Sequence, residues 1–208
     1  MIAPKNKKKF SVIIPAHNSE VFINKAISSI EAQAFKDYEL IIVCDACTDH
    51  TEDMARAYAD KVIVTNFGRD GLARQAGIDA AEGEFILFMD DDDWWLHEYV
   101  LQILNDYAAQ IEGFDILCFG FIWKDVGYTG PVRFIKGTTT VWPNVWSKMI
   151  RRSWLLKSGV RWTDQRMTSD LRFTRDMMAE APEVAFLDMP MYYYNWMRPG
   201  SQTEREGK

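Results

Sequence analysis

The sequence predicts an α/β domain built on a mostly parallel sheet with helices on both faces. Three observations predict it. Apolar runs recur at Phe10–Ala16, Tyr38–Cys44, Lys61–Thr65, Phe85–Met89 and Phe114–Trp123. They are near-continuous rather than alternating, as in strands buried on both faces. Stretches of helical periodicity separate them, giving β-α-β-α-β-α-β-α-β. Polar residues gather where strands end: His17 and Asn18, then Asp45, then Asp90, Asp91, Asp92 and Asp93. Ligands bind at the carboxyl ends of strands in such sheets, so these groups should converge on one crevice.

Each element has its own signal. "FSVIIPA" is the first strand, ended near its proline. From Glu20 to Gln33, Val21, Ile23, Ala26, Ile27 and Ile30 recur at helical spacing. "YELIIVC" is the second strand, and "TDHTEDMARAYAD" opens a helix with Thr48 and acids. "KVIVT" follows as the third strand. "GLARQAGIDAAEGE" is an alanine-rich helix stopped near Gly83, and "FILFM" the fourth strand. "LHEYVLQILNDYAAQI" and "FDILCFGFIW" supply the fourth helix and fifth strand. After Trp123 the pattern weakens, and Gly127, Gly130, Pro131 and Gly137 suggest loops or a short hairpin. Asn144–Gly159 reads as a helix, as does Met167–Ala181. "VAFLD" and "MYYYNW" read as two short strands.

Composition narrows the function classes. Apolar residues at 48% and charged residues at 26% describe a soluble globular chain of 208 residues. The net charge of −6 argues against a nucleic-acid binder. No apolar run approaches the roughly 20 residues of a membrane helix. The basic start "MIAPKNKKKF" reads as a solvated tail over residues 1–9, with peripheral membrane contact as its alternative. Residues 10–208 read as a single domain with two halves, 10–95 and 96–208. Three cysteines, Cys44, Cys47 and Cys118, point to a reducing compartment rather than a disulfide scaffold, so the expected location is cytoplasmic. "CDAC" is formally C-x-x-C. Without a second such pair it reads as a strand exit rather than a zinc or redox site.

The strand ends carry the chemistry. Clustered carboxylates repel and are costly to enclose unless a cation relieves them. Mg²⁺ or Mn²⁺ binds such oxygens with one or two carboxylates, waters and substrate phosphates. Part of the run can equally cap the next helix, whose N-terminus attracts negative charge. EF-hand spacing is absent. Asp45 can accept a nucleobase N–H, or shape an Asx-type turn. Arg74, in an otherwise apolar helix after Gly71, can reach a diphosphate or extend past apolar neighbours to water.

The order "SVIIPAHN", "YELIIVCDACTDHT" and "GLARQAGIDAAEGEFILFMDDDDWW" resembles glycosyltransferase family 2. These are inverting nucleotide-sugar transferases of GT-A fold, with a Rossmann-like sheet and a smaller acceptor-side region. The resemblance runs from Phe10 to Thr203, and implies that 10–95 is the nucleotide-sugar-binding half and 96–208 the acceptor-binding half. It implies that Pro15, Ala16, His17 and Asn18 form the first nucleotide-binding turn. Asp45 would bind the base, usually uracil, and Arg74 would face the nucleotide. Asp90, Asp91 and Asp92 fit the D-x-D signature, with Asp92 the direct metal ligand and Asp90 beside it, nearer the ribose or sugar. "TSDLRF" resembles the family's E-D-x-x-F, making Asp170 the catalytic base. "YYYNWMRPGSQT" resembles its closing loop near the phosphates, with Arg198 and Ser201 at matching places.

The sequence departs from the family pattern at His17, Cys44, Cys47, Gln75 and Ser169. These departures bear on base selectivity and leave the metal acids and the base in place. The resemblance implies Mn²⁺ or Mg²⁺, a UDP-sugar donor and a glycan or other hydroxyl acceptor. Trp142, Trp146 and Trp154, with Arg151 and Arg152, can grip such an acceptor. The same tryptophans can simply pack a helix on the sheet. A nucleotidyltransferase is disfavoured by "PAHNSE" after strand one, where a glycine-rich basic loop belongs. A dehydrogenase is disfavoured by the missing G-x-G-x-x-G. A non-catalytic nucleotide-binding scaffold is disfavoured by the acids at positions 45, 92 and 170.

Overall fold

The computed structural model describes residues 8–123, 133–135, 143–164, 169–180 and 182–195. Strands β1 (Phe10–Ala16), β2 (Tyr38–Asp45), β3 (Lys61–Thr65) and β4 (Phe85–Phe88) alternate with α1 (Ile23–Glu31), α2 (Thr51–Tyr58) and α3 (Asp70–Ala80). They pair in parallel in the order β3-β2-β1-β4. A two-residue strand β5 (Trp94–Trp95) precedes α4 (Val100–Gln110) and β6 (Ile116–Trp123). Beyond them come β7 (Arg133–Ile135), β8 (Lys148–Arg151), α5 (Arg152–Ser158), α6 (Ser169–Ala179) and β9 (Val184–Tyr194). The sheet continues from β4 through β8, β6 and β9 to β5, with β7 on β6.

The buried strands explain the apolar runs. Every residue of β1 is buried, as is every residue of β2 after Tyr38. Each isoleucine enclosed there contributes about 1.5–3 kcal/mol. Helix α3 lies close on this layer. A Cβ at Gly77 would meet Ile13 Cγ2 at 2.3 Å, so only glycine permits that approach. The crossover rule then sets strand ends and helix starts along one edge, where the site forms.

The second half corrects the sequence reading. Asn144–Gly159 is not one helix. Its middle is β8, antiparallel to β4 and β6, with Ile86 and Ile116 both opposite Ile150. Lys148, Met149 and Ile150 are consecutive and fully buried. A short apolar run of this kind cannot be told from a helix by periodicity. Only the Arg152–Ser158 portion is helical, ended by Gly159 at φ 74°. The two short strands expected near the C-terminus are one, β9, parallel to β6 with a bulge around Gly120 and Pro190. Helix α1 starts at Ile23, and Val21, expected on its apolar stripe, is 77% exposed. Helix α2 starts at Thr51. Its first N–H is met by Asp49 Oδ1 at 3.0 Å, so Asp49 takes the role expected of Thr48.

Candidate active site

Three strand ends build one crevice. At the end of β1 the His17 N–H donates to Asp91 Oδ2 at 3.2 Å. Its ring Nδ1 lies 2.7 Å from the Asp45 carbonyl, so that nitrogen carries the hydrogen. Asn18 takes a left-handed backbone, φ 48°, and its Oδ1 accepts from the Thr48 N–H at 2.7 Å. Pro15 and Ala16 are buried at the base of this turn. The turn after β1 is thereby tied both to the loop after β2 and to the acids after β4.

Asp45 organises its own neighbourhood. Its Oδ1 accepts from Thr65 Oγ1 at 3.0 Å and the Phe67 N–H at 2.6 Å, and its Oδ2 accepts from the Arg69 N–H at 3.0 Å. The carboxylate is buried and fixes the loop between β3 and α3. Ala46 beside it is left-handed, φ 53°, a conformation unfavourable for a residue with a Cβ. Cys44 and Cys47 are free thiols flanking this corner, and burial pushes Cys44 up to about 12.

Arg74 is the hub. Its guanidinium is 2.7 Å from Asp70 Oδ2, 2.6 Å from Asp90 Oδ1 and 3.8 Å from Asp170 Oδ1. It sits 5.4 Å from the Trp162 ring centroid. One enclosed cation therefore faces three carboxylates, which keep it charged. Asp70 and Arg74 are four residues apart on α3, the spacing that pairs side chains on one helix face. Ser169 Oγ donates to Asp70 Oδ2 at 2.8 Å and ties the start of α6 to the same cluster.

The four aspartates divide their work. Asp91 receives the His17 amide. Asp93 has no exposed surface; its Oδ2 accepts from the Tyr192 hydroxyl at 2.6 Å and its Oδ1 from the Asn195 N–H at 2.8 Å. It anchors the loop to β9, and burial pushes its carboxyl well above the usual range. Asp90 is pushed up to about 7 by burial, with Asp170 and Asp92 adding repulsion and Arg74 opposing them. Asp92 is half-buried between Asp91 and Asp93. Among the described residues, no three His, Cys, Asp or Glu side chains close into a metal cage. The donor set instead fits a hard cation that takes one or two carboxylates and completes its shell from water and phosphate. Asp90, pushed up by burial and then by neighbouring negative charge, is the group such a cation would relieve.

Asp170 lies in the first turn of α6 and faces inward. Its Oδ2 accepts from the Val145 N–H at 3.3 Å, and its Oδ1 is enclosed without a hydrogen-bond partner. Burial pushes its carboxyl up, against the pull of Arg74. Of the tryptophans expected to grip an acceptor, Trp146 is core and Trp154 half-buried. Trp146 is 4% exposed, stacked on Tyr192 at 4.5 Å and edge-on to Phe121 at 4.6 Å. Arg151 bonds the Phe114 carbonyl and Glu84. Trp142, Arg198 and Ser201 lie outside the described residues. Sequence reasoning missed Asp70, Tyr192 and Asn195. The i, i+4 spacing signals the first, and nothing local signals the others.

A family model described as glycosyl transferase family 2 matches residues 11–170. The chain is 32% identical over 213 residues to the poly(ribitol-phosphate) beta-N-acetylglucosaminyltransferase TarS of Staphylococcus aureus, covering 92% of this chain and 36% of that protein. It is 26% identical over 234 residues to a cholesterol galactosyltransferase of Borreliella burgdorferi, covering 95% of this chain and 63% of that protein. It thus spans less than two thirds of either relative. The solved structure of S. aureus TarS with UDP-GlcNAc aligns with TM-score 0.79 at 25% identity, covering 94% of this chain and 60% of that one. A mannosyltransferase from Pyrobaculum calidifontis shares the fold, with TM-score 0.71 at 16% identity over 97% of this chain and 61% of that one. The sheet is of GT-A type, as in TarS. With most of its length matched by the family's own pattern, the chain belongs to glycosyl transferase family 2.

Proposed function

We propose that this chain is a metal-dependent, inverting glycosyltransferase that moves a sugar from a UDP-sugar to an acceptor hydroxyl in glycan or polysaccharide synthesis. The observation that carries the reading is the Arg74 hub. It holds Asp90 of the acid loop on one side and Asp170 of α6 on the other. Donor-side and acceptor-side carboxylates thus share one crevice. UDP-GlcNAc in the TarS structure supports a UDP-linked donor.

Each residue then has a task. The turn Pro15, Ala16, His17 and Asn18 shapes the nucleotide site. Asp45 has used three acceptor positions on the chain and keeps one lone pair for a base N–H. Mn²⁺ or Mg²⁺, held by Asp92 with Asp90, would neutralise the departing diphosphate. Asp170 takes the acceptor proton at Oδ2 as the hydroxyl oxygen attacks the anomeric carbon. A single displacement inverts that carbon and needs no enzyme nucleophile. Arg198 and Ser201 keep the phosphate-side role that the family resemblance implies.

Calorimetry with UDP, GDP, CDP and ADP, each with and without Mn²⁺, tests the donor half. UDP binding that needs Mn²⁺ and is lost in Asp92→Ala supports it. Preference for another diphosphate revises the role of Asp45, and no nucleotide binding at all favours a scaffold. Asp170→Asn tests the acceptor half. It should cut transfer by about 10²–10⁴-fold while nucleotide affinity stays near normal. Retained turnover would remove Asp170 from the mechanism.

A further inference from the structure

Lys148 is a lysine with no exposed surface, on a strand wedged between two others. An enclosed ammonium is costly, and an apolar side chain of similar length would fill the position without that penalty. Its Nζ donates back to the Asn144 carbonyl. The N–H of that same peptide unit, on Val145, donates to Asp170 Oδ2 at 3.3 Å. One peptide group therefore stands between an ammonium and a carboxylate, with its oxygen on the first and its hydrogen on the second. A cation on a carbonyl oxygen polarises the peptide and strengthens the bond its N–H makes.

The surrounding contacts hold this peptide in place. Thr174, one turn along α6 from Asp170, donates to the Pro143 carbonyl at 2.7 Å. Ser147 Oγ lies 3.2 Å from Asn144 Oδ1. The charged groups facing Asp170 are Arg74 and Asp70 from α3, Asp90 from the acid loop and Lys148 from β8. Burial pushes Lys148 down to about 8, and Cys118 and Asp170 oppose that.

We propose that Lys148 is a positioning residue for Asp170, acting through the Asn144–Val145 peptide to aim the carboxylate and restrain its proton affinity. The proposal rests on Asp170 being the base. It adds a residue that touches neither donor nor acceptor yet sets the state of the one that does.

The test uses the full chain carrying ¹³C-labelled aspartate carboxyls, with Asp170→Asn to identify the Asp170 signal. In Lys148→Met the Asp170 midpoint should rise by about one pH unit. In Lys148→Arg it should stay near the wild-type value. Calorimetric UDP affinity with Mn²⁺ should be unchanged in both. An Asp170 midpoint in Lys148→Met equal to wild type overturns the proposal. If Lys148→Met does not fold, the wild-type protein provides the second measurement. The Val145 amide signal should shift as Lys148 loses its proton near pH 8. An amide that stays still through that range overturns the proposal as well. Failure of the base assignment is distinguishable, because Asp170→Asn then keeps turnover whatever Lys148 does.

Discussion

The Tyr192 hydroxyl donates to Asp93 Oδ2 at 2.6 Å, and its oxygen accepts the Asp90 N–H at 3.0 Å. One side chain on β9 thus grips both ends of the acid loop. Tyr192→Phe leaves a fully enclosed carboxylate short of a donor, which costs about 1–3 kcal/mol. The melting temperature should fall, and Mn²⁺-dependent UDP affinity should fall with it. Differential scanning fluorimetry and calorimetry check the pair. A variant that melts and binds like wild type would show that the loop holds without this bond.

Asp45→Asn replaces an acceptor of three bonds by a side chain with one oxygen and one NH₂. That NH₂ must face one of the donors at Thr65, Phe67 or Arg69. The loop before α3 should loosen, with a melting loss of several degrees and at least about a tenfold loss of nucleotide affinity. Titration of UDP into the variant measures the second effect. Unchanged affinity would mean that the base is held elsewhere.

Ala46→Gly relieves a left-handed alanine. The strain removed is offset in part by the freer unfolded chain, leaving a gain of about 0.5–1 kcal/mol. For a chain of this size that is about 1–4 °C in melting temperature. A lower melting temperature would show that the alanine side chain makes a contact worth more than its strain.

The acid loop predicts a pH signature. Folded Asp90 titrates near 7, above the usual aspartate value of about 3.9 in the unfolded chain. The folded state therefore binds the extra proton between these values, and this group's contribution to stability falls as pH rises from about 4 through 7. A cation competes with that proton. The melting gain from Mn²⁺ should accordingly be larger at about pH 8 than at about pH 5.5. Equal gains at both values would remove Asp90 from the metal site.

The first half of the fold was legible because β1, β2 and β4 are buried almost throughout and its helices are regularly spaced. A run such as "FSVIIPA" reads as a strand by its short length, its β-branched Val12, Ile13 and Ile14 and its proline. The strand ends were legible for the same reason, since topology sends Asp45 and Asp90 to one edge. "SKMI" was not, because a lysine inside an apolar run gives no sign that two strands will enclose it. Asp93 and Tyr192 are 99 residues apart in the chain, and only the folded sheet brings them within 2.6 Å. Asp170 was singled out through family resemblance alone. Its contacts with the Val145 amide and Arg74 have no signature in spacing.

The place of β8 has a consequence for how the protein comes into being. On a ribosome the chain emits β1 to β6 before β8 exists. Until β8 arrives, β4 and β6 each present an unpaired edge, and such edges invite pairing with other chains. Nascent protein stalled before residue 148 is therefore an aggregation hazard and a natural client for chaperones. Insertion of β8 pairs the facing edges of β4 and β6, while the other edge of β6 stays open until β9 emerges. Helix α6, which carries Asp170, and β9 both follow β8 in the chain, so Asp170 reaches Arg74 only late and a half-made chain holds only half of the site.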